Sequence, residues 1–323
     1  MIMGLVFGKF MPVHNGHLAL IEFARKQCDR LIVSMTISPD DVISPALRIQ
    51  WLTELLAPYS TIEVVAETNE FHDPTLPLWE ATKLWAAFIK RRFPNVSVFF
   101  SSEAYAIPLA HHSGLRHVAF DPPREKVPVS ATLIREQPAR YWDFIPDVVS
   151  PYFVKKICLY GPESVGKTTL ARQLATDYKT IFVPEVARDM ITSNEFTLDD
   201  FVRIGQAQTE AVQQAERQAN RILFCDTDVI TTQIYADIYL REVPPFLYEL
   251  ERQVHYNAYI LLDIDVPWVA DDLRDHGHKR PEMLARFRAE LDRRNLPYYL
   301  VSGSYSERMS TISRITDRLL ETA

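Results

Sequence analysis

The stretch Ile157-Cys158-Leu159-Tyr160-Gly161-Pro162-Glu163-Ser164-Val165-Gly166-Lys167-Thr168-Thr169 decides the fold of the second half of the chain. Residues 161–168 carry the spacing G-x-x-x-x-G-K-[ST], the P-loop pattern. The apolar run before it reads as a buried strand, and residues 169–175 read as a helix. The motif needs that strand–loop–helix context. The glycines let backbone wrap closely around phosphate, so that free N–H groups and the helix N-terminus face a polyanion. Gly161, Glu163, Ser164, Val165, Gly166, Lys167, Thr168 and Thr169 are therefore candidate ATP-phosphate ligands. Lys167 would reach the β/γ-phosphates and Thr168 would hold Mg²⁺. The alternative is a chance Gly-rich turn before a helix.

Downstream, the pattern predicts a strand over 180–183, a helix over 198–220, and a buried strand over 222–225 that ends in Asp226. An acid there is a Walker-B-type carboxylate, set across from Thr168 to help hold Mg²⁺ through water. Strand alternation points Asp228 the same way, to bind a substrate hydroxyl or act as base. The alternative for both acids is a turn residue at a strand end. A strand over 259–263 leads to a charged stretch with one glycine, residues 267–280. It reads as a lid whose Arg274 and Arg280 neutralise charge on a transferring phosphoryl group. A solvated charged surface is the alternative. A strand over 298–301 and an amphipathic helix over 306–320 close the chain.

The length of 323 residues suits two domains, and Pro146 and Pro151 put the boundary near residue 150. The 47% apolar content supports real cores. A net charge of −7 argues against broad nucleic-acid binding, so no nucleic-acid partner is expected, although a local basic pocket for phosphates is compatible with it. Cys28, Cys158 and Cys225 are widely spaced and lie in or beside apolar stretches, without metal-ligand spacing. They read as core thiols of a reducing compartment. With no basic leader and no apolar run of membrane-spanning length, the expected location is the cytoplasm, without membrane insertion.

The first half opens with a strand over 4–7, a helix over 18–25 and a second buried strand over 31–37. This βαβ opening implies a parallel sheet. Between the first strand and the helix lies Gly8-Lys9-Phe10-Met11-Pro12-Val13-His14-Asn15-Gly16-His17. Its H-x-G-H end sets two imidazoles on one side of a helix start. Gly16 leaves room for a ligand to approach the backbone. Neutral or charged, the imidazoles can hydrogen-bond phosphate oxygens whose charge grows during nucleotidyl transfer. Two merely polar helix-start residues are the alternative.

Here the chain resembles the nucleotidyltransferase superfamily whose H-x-G-H follows the first strand. The partner pattern [ST]-x-T-x-x-R is present as Ser130-Ala131-Thr132-Leu133-Ile134-Arg135, after a strand over 117–120. Ser130 and Thr132 would cap a helix and offer donors to phosphate, and Arg135 a charge-assisted fork. An ordinary N-capped helix is the alternative. Further strands are expected over 62–66 and 96–100, with Ser101-Ser102-Glu103 touching nucleotide and Asp40, Asp41 and Arg48 at the ligand edge of the sheet. Trp79 opens a helix over 80–91 and either stacks on a base or pyridine ring or anchors the core.

The order of parts resembles the bifunctional NadR family, a nicotinamide-nucleotide adenylyltransferase joined to a ribosylnicotinamide kinase. The resemblance covers nearly the whole chain and rests on residues 8–10, 14–17, 130–135, 161–169, 185–188, 226–228 and 268–280. It implies an α/β fold with mainly parallel sheets. A Rossmann-like nucleotidyltransferase domain spans 1–150, and a P-loop NTPase-type kinase domain spans 151–323. ATP, NMN, nicotinamide riboside and NAD are the implied ligands, with Mg²⁺ as cofactor, and a homo-oligomer is left open. Gly8, Lys9, Phe10, Ser130 and Thr132 would bind ATP beside catalytic His14, His17 and Arg135. In the kinase, Lys167 and Asp228 would be catalytic, and Glu185 and Arg188 would bind substrate, as would Trp79 in the first domain. The strand-like segment of the first strand begins at Ile2, directly after Met1, leaving no room for the helix-turn-helix of some relatives, so DNA-binding regulation is not expected. Two other readings stay open. One is adenylation of a different phosphorylated cofactor precursor, such as a flavin or pantetheine compound. The other is a non-catalytic sensor of ATP and NAD, against which the intact His14, His17, Lys167, Thr168 and Asp226 argue.

Overall fold

The computed structural model describes residues 1–71, 73, 75–191, 195–267 and 279–321. Two compact units divide the chain, Met1–Val149 and Ser150–Ala323.

In the first unit, Gly4, Leu5 and Val6 are buried in β1 (Met3–Gly8). A Cβ at Gly4 would lie 2.8 Å from Cys28 Sγ, so the helix-to-strand segment can approach only glycine. The chain continues through α1 (Asn15–Arg25), β2 (Arg30–Ile37), α2 (Pro45–Leu56) and β3 (Ile62–Thr68). It then crosses back through α3 (Leu78–Arg92), β4 (Val98–Ser101), α4 (Ala106–Ser113), β5 (Arg116–Ala119) and α5 (Ala131–Glu136). The strands form one sheet in the order β3-β2-β1-β4-β5, and every pair is parallel. Successive crossovers move outward from β1 one way, then the other. The reversal between β1 and β4 opens a crevice at their C-terminal ends, where open sheets bind ligands. Beneath it Leu5, Phe99, Ile89 and Leu109 pack as a buried cluster, each worth about 1.5–3 kcal/mol.

The second unit repeats this logic. Its elements are β6 (Lys155–Tyr160), α6 (Lys167–Asp177), β7 (Phe182–Val183), α7 (Ala187–Met190), α8 (Leu198–Glu216) and β8 (Ile222–Asp226). They continue with α9 (Val229–Leu240), α10 (Pro245–Glu251), β9 (Ala258–Leu262), α11 (Arg280–Arg293), β10 (Tyr298–Val301) and α12 (Tyr305–Glu321). The sheet order is β10-β9-β6-β8-β7, again all parallel. Helices cover both faces, so β8 and β9 are buried at every residue and read in sequence as unbroken apolar runs.

The expected strands and helices are present, with shifted ends. The strand expected over 180–183 is only Phe182–Val183. Thr180 instead uses its hydroxyl, donating to Ile222 O at 2.7 Å and accepting from Asn220 N at 3.0 Å. The long helix stops at Glu216 rather than 220; its start is fixed by a capping box between Thr197 and Asp200. Helices α2, α4, α7, α9, α10 and α11 are additional to those expected. In α9 seven residues are buried, so little amphipathic period marks it. No helix among the described residues is long and apolar enough to cross a membrane.

Candidate active sites

At the crevice between β1 and β4 lies a cleft of about 510 Å³. It is lined by the loop after β1, the start of α1, the end of β4 and the start of α5. His14 is the N-cap of α1: its Nδ1 accepts from Gly16 N at 3.1 Å and His17 N at 3.3 Å. With Nδ1 an acceptor, the proton of the neutral ring sits on Nε2. The two imidazoles stack with centroids 3.8 Å apart, and Phe10 meets the edge of His17 at 4.8 Å. Burial, with the charge of Arg124, lowers the His14 pKa to about 3. Burial, His14 and Arg124 likewise hold His17 well below its ordinary value. Both rings are therefore neutral donors at neutral pH. Gly16 lines the cleft, as its expected role requires, and has a second job. A Cβ there would lie 2.9 Å from the His14 ring, so glycine also makes room for the capping imidazole.

Ser130 caps α5, its Oγ accepting from Leu133 N at 3.2 Å. Arg135 donates to Met11 O and, at 3.2 Å, to Thr132 Oγ1. The second motif thus ties itself to the loop that carries the first. Gly8, Lys9, Phe10, Ser130, Thr132 and Arg135 all line the cleft with His14 and His17. Lys9 meets Asp40 at 3.2 Å and Asp41 at 3.0 Å. Behind it Arg48 is fully buried. It donates to Ile43 O at 3.1 Å, Lys9 O at 2.5 Å, Thr36 O at 3.2 Å and Asp41 Oδ2 at 2.5 Å. Burial alone would raise the Asp41 carboxyl, but the Ser38 N–H, Lys9 and Arg48 outweigh it and hold the pKa below its usual value. Two contributors went unnoticed in the sequence. Arg124 lines the cleft and pairs with Glu103 at 2.7 Å. The loop presenting it is shaped by Asp121, whose carboxylate accepts from the N–H groups of Glu125, Lys126 and Val127. Trp79 is a correction. It does not line the cleft, nor is it a core anchor, being 47% exposed against His111 and His112. It opens α3 at the surface, before its apolar face begins.

In the second unit the P-loop links β6 to α6 with Gly161 at φ 136°, Ser164 at φ 57° and Gly166 at φ 91°. A Cβ at Gly161 would sit 3.1 Å from Leu262 O, so the position needs glycine for space as well as conformation. Buried Lys167 donates to Gly161 O and Pro162 O, both at 3.0 Å. Thr168, in the first turn of α6, donates its hydroxyl to Asp226 Oδ2. Asp226 is fully buried and burial raises its pKa, against the pull of Lys167. Its Oδ1 meets no donor among the described residues. A hydroxyl and a carboxylate with a spare buried oxygen fit a hard divalent cation.

Asp228 is the second correction. Strand β8 ends at Asp226, and Thr227 turns the chain with φ 77°, which breaks the alternation that would have aimed Asp228 at the P-loop. Asp228 instead caps α9. One oxygen accepts from Thr231 N at 3.0 Å and Thr231 Oγ1 at 3.2 Å, the other from Tyr259 OH at 2.9 Å. Burial pushes its pKa up to about 6. The cleft beside the P-loop is lined by Glu163, Glu185, Arg188, Gln208, Thr227 and Tyr235, among others, and not by Asp228. Glu185 and Arg188 pair at 3.0 Å within it. Of the expected lid, residues 268–278, Arg274 included, lie outside the described residues. Arg280 donates to Val266 O at 2.8 Å and Ser164 O at 3.5 Å, so it contacts the P-loop backbone.

Residues 5–69 match the cytidylyltransferase-like family and residues 156–308 match the AAA domain family. The trifunctional NAD biosynthesis/regulator proteins NadR of Escherichia coli strain K12 and Salmonella typhimurium strain LT2 are each 33% identical to this chain over 299 residues. Those matches cover 85% of this chain and 72% of each relative. The nicotinamide-nucleotide adenylyltransferase of Pyrococcus abyssi strain GE5 is 28% identical over 164 residues, 49% of this chain and 84% of its own. A crystal structure of NadR protein in complex with NR matches with a TM-score of 0.80 at 22% identity, over 98% of this chain and 95% of that one. Another, in complex with NAD and AMP-PNP, matches with a TM-score of 0.78 at 23% identity, over 100% and 97%. The last two establish a shared fold, and the sequence identity to the curated relatives goes further: this chain belongs to the NadR family.

Proposed function

We propose that the chain makes NAD in two steps at two sites. The second unit phosphorylates the 5′-hydroxyl of nicotinamide riboside with ATP, giving NMN. The first unit joins NMN to the adenylyl group of ATP, giving NAD and pyrophosphate. The observation that carries this is that the central strand of each unit leads into a polar site whose residues suit phosphate. One is built on His14, His17 and α5, the other on the P-loop with Thr168 and Asp226. Membership of the NadR family supports the substrates.

In the first unit an NMN phosphate oxygen attacks the α-phosphorus of ATP. The bond from that phosphorus to the bridging oxygen breaks, and pyrophosphate leaves. Charge gathers on the non-bridging oxygens. His14 Nε2–H, His17, the α1 N-terminus, Thr132 and Arg135 are placed to receive it. Lys9 would exchange its carboxylate partners for phosphate. The chemistry needs positioning and electrostatics more than covalent help.

In the second unit the riboside hydroxyl attacks the γ-phosphorus and ADP leaves. The hydroxyl proton passes to a carboxylate of the cleft, Glu163 or Glu185. Lys167 would leave the Gly161 and Pro162 carbonyls for the β/γ-phosphates. Mg²⁺, held by Thr168 and Asp226, would supply charge neutralisation between those phosphates.

Chromatography of products from purified protein, ATP and Mg²⁺ tests the proposal. Riboside should yield NAD with both ADP and pyrophosphate, and NMN should yield NAD with pyrophosphate alone. No product from either substrate would overturn it in favour of another precursor or a sensor.

A further inference from the structure

Arg308 lies on α12, in sequence far from the P-loop, and is 1% exposed. It donates to Gly303 O at 2.9 Å, Val165 O at 2.8 Å, Asp263 O at 3.0 Å and the Asp265 carboxylate. Asp265 in turn accepts from Gly303 N at 2.5 Å, which closes a ring of contacts. One guanidinium thus joins the end of β9, the end of β10 and the middle of the P-loop.

The consequence lies in the peptide plane. In a trans peptide the C=O and the following N–H point in opposite directions. Holding Val165 O outward therefore holds Gly166 N–H inward, toward the space a phosphate fills. Other carbonyls of the loop are also engaged, although Pro162, after Gly161, has no N–H to turn. Ser164 O is engaged by Arg280 at 3.5 Å, and Gly161 O and Pro162 O by Lys167 at 3.0 Å. Lys167 must leave its carbonyls to reach nucleotide. Arg308 has no such duty, because it is buried and is not among the residues that line the cleft beside the P-loop.

We infer that Arg308 is a positioning residue for nucleotide binding, fixing the Val165–Gly166 peptide with its N–H turned to the phosphates. The inference rests on reading the second unit as the kinase. A buried guanidinium offers a rigid fork that can serve three carbonyls and a carboxylate together, and an ammonium does not match that geometry.

The two activities on one chain provide the control. Riboside-dependent ADP formation reports the second unit, and NMN-dependent pyrophosphate formation reports the first. Arg308→Gln and Arg308→Lys should each raise the KM for ATP of ADP formation about tenfold or more, with pyrophosphate formation unchanged. Guanidinium ion added to Arg308→Ala should restore part of the loss. If Arg308→Gln does not fold, Arg308→Lys decides alone. Lower melting temperature and lower kcat in the folded variants, with KM for ATP unchanged and no rescue, would reduce Arg308 to a core residue and overturn the inference. Wild-type protein that forms no ADP would instead refute the kinase reading. In that case calorimetric binding of Mg·ATP, after subtraction of the signal left in Lys167→Ala, reads the same loop: unchanged affinity in Arg308→Lys overturns the inference, and weakened affinity sustains it.

Discussion

His14 does two jobs with its two nitrogens. Nδ1 caps α1, and Nε2 is left as a donor to the cleft. Burial keeps the ring neutral, with its pKa lowered from 6.5 to about 3. The unfolded chain therefore binds more protons than the folded one between those values, and stability falls as pH drops through that window. The cost approaches about 1.4 kcal/mol per pH unit for one imidazole. Above the unfolded value the effect vanishes. Urea unfolding at about pH 7.5 and about pH 4.5 should show a smaller acid loss in His14→Gln than in wild type. Equal losses would mean that His14 is charged in the folded protein. The motif residues themselves were legible, because H-x-G-H, [ST]-x-T-x-x-R and the P-loop are local. Arg308 was not, and Arg48 was readable as a residue of the ligand edge but not as a buried one. Their partners include Lys9 and Val165, far away in sequence, and nothing local marks a buried arginine.

Among the elements, the parallel strands were readable because burial on both faces leaves continuous apolar runs. The orientation of residues just past a strand end was not. Thr227 shows why: one residue at φ 77° converts an alternation argument into its opposite, and Asp228 becomes the cap of α9. That assignment has a kinetic consequence. Asp228→Asn should leave riboside phosphorylation within about tenfold of wild type, because the side chain does not reach the cleft. A loss of about a hundredfold or more, with the fold intact by circular dichroism, would restore Asp228 as the catalytic acid. Helix α1 offers the converse lesson. The apolar pattern begins only at Leu18, whereas the helix begins at Asn15 and so includes His17 in its first turn, as the placing of the two imidazoles at a helix start requires. This start is what stacks the two rings.

Across the whole molecule, two α/β units each carry their own sheet and core. The fold class and both motif sites could be read from the chain because each motif sits at the end of a central strand. Trp79 could not be assigned, since an aromatic before a helix is equally compatible with core, surface and ligand. The central claim is that two separable activities act in series. It is tested most directly by giving riboside or NMN, with ATP and Mg²⁺, to wild type, Lys167→Ala and His17→Ala, and separating the products. Lys167→Ala should make NAD from NMN and almost none from riboside. His17→Ala should turn riboside into NMN that accumulates, with NAD formation down about a hundredfold. Normal NAD formation from riboside in Lys167→Ala, or normal NAD formation from NMN in His17→Ala, would contradict the account.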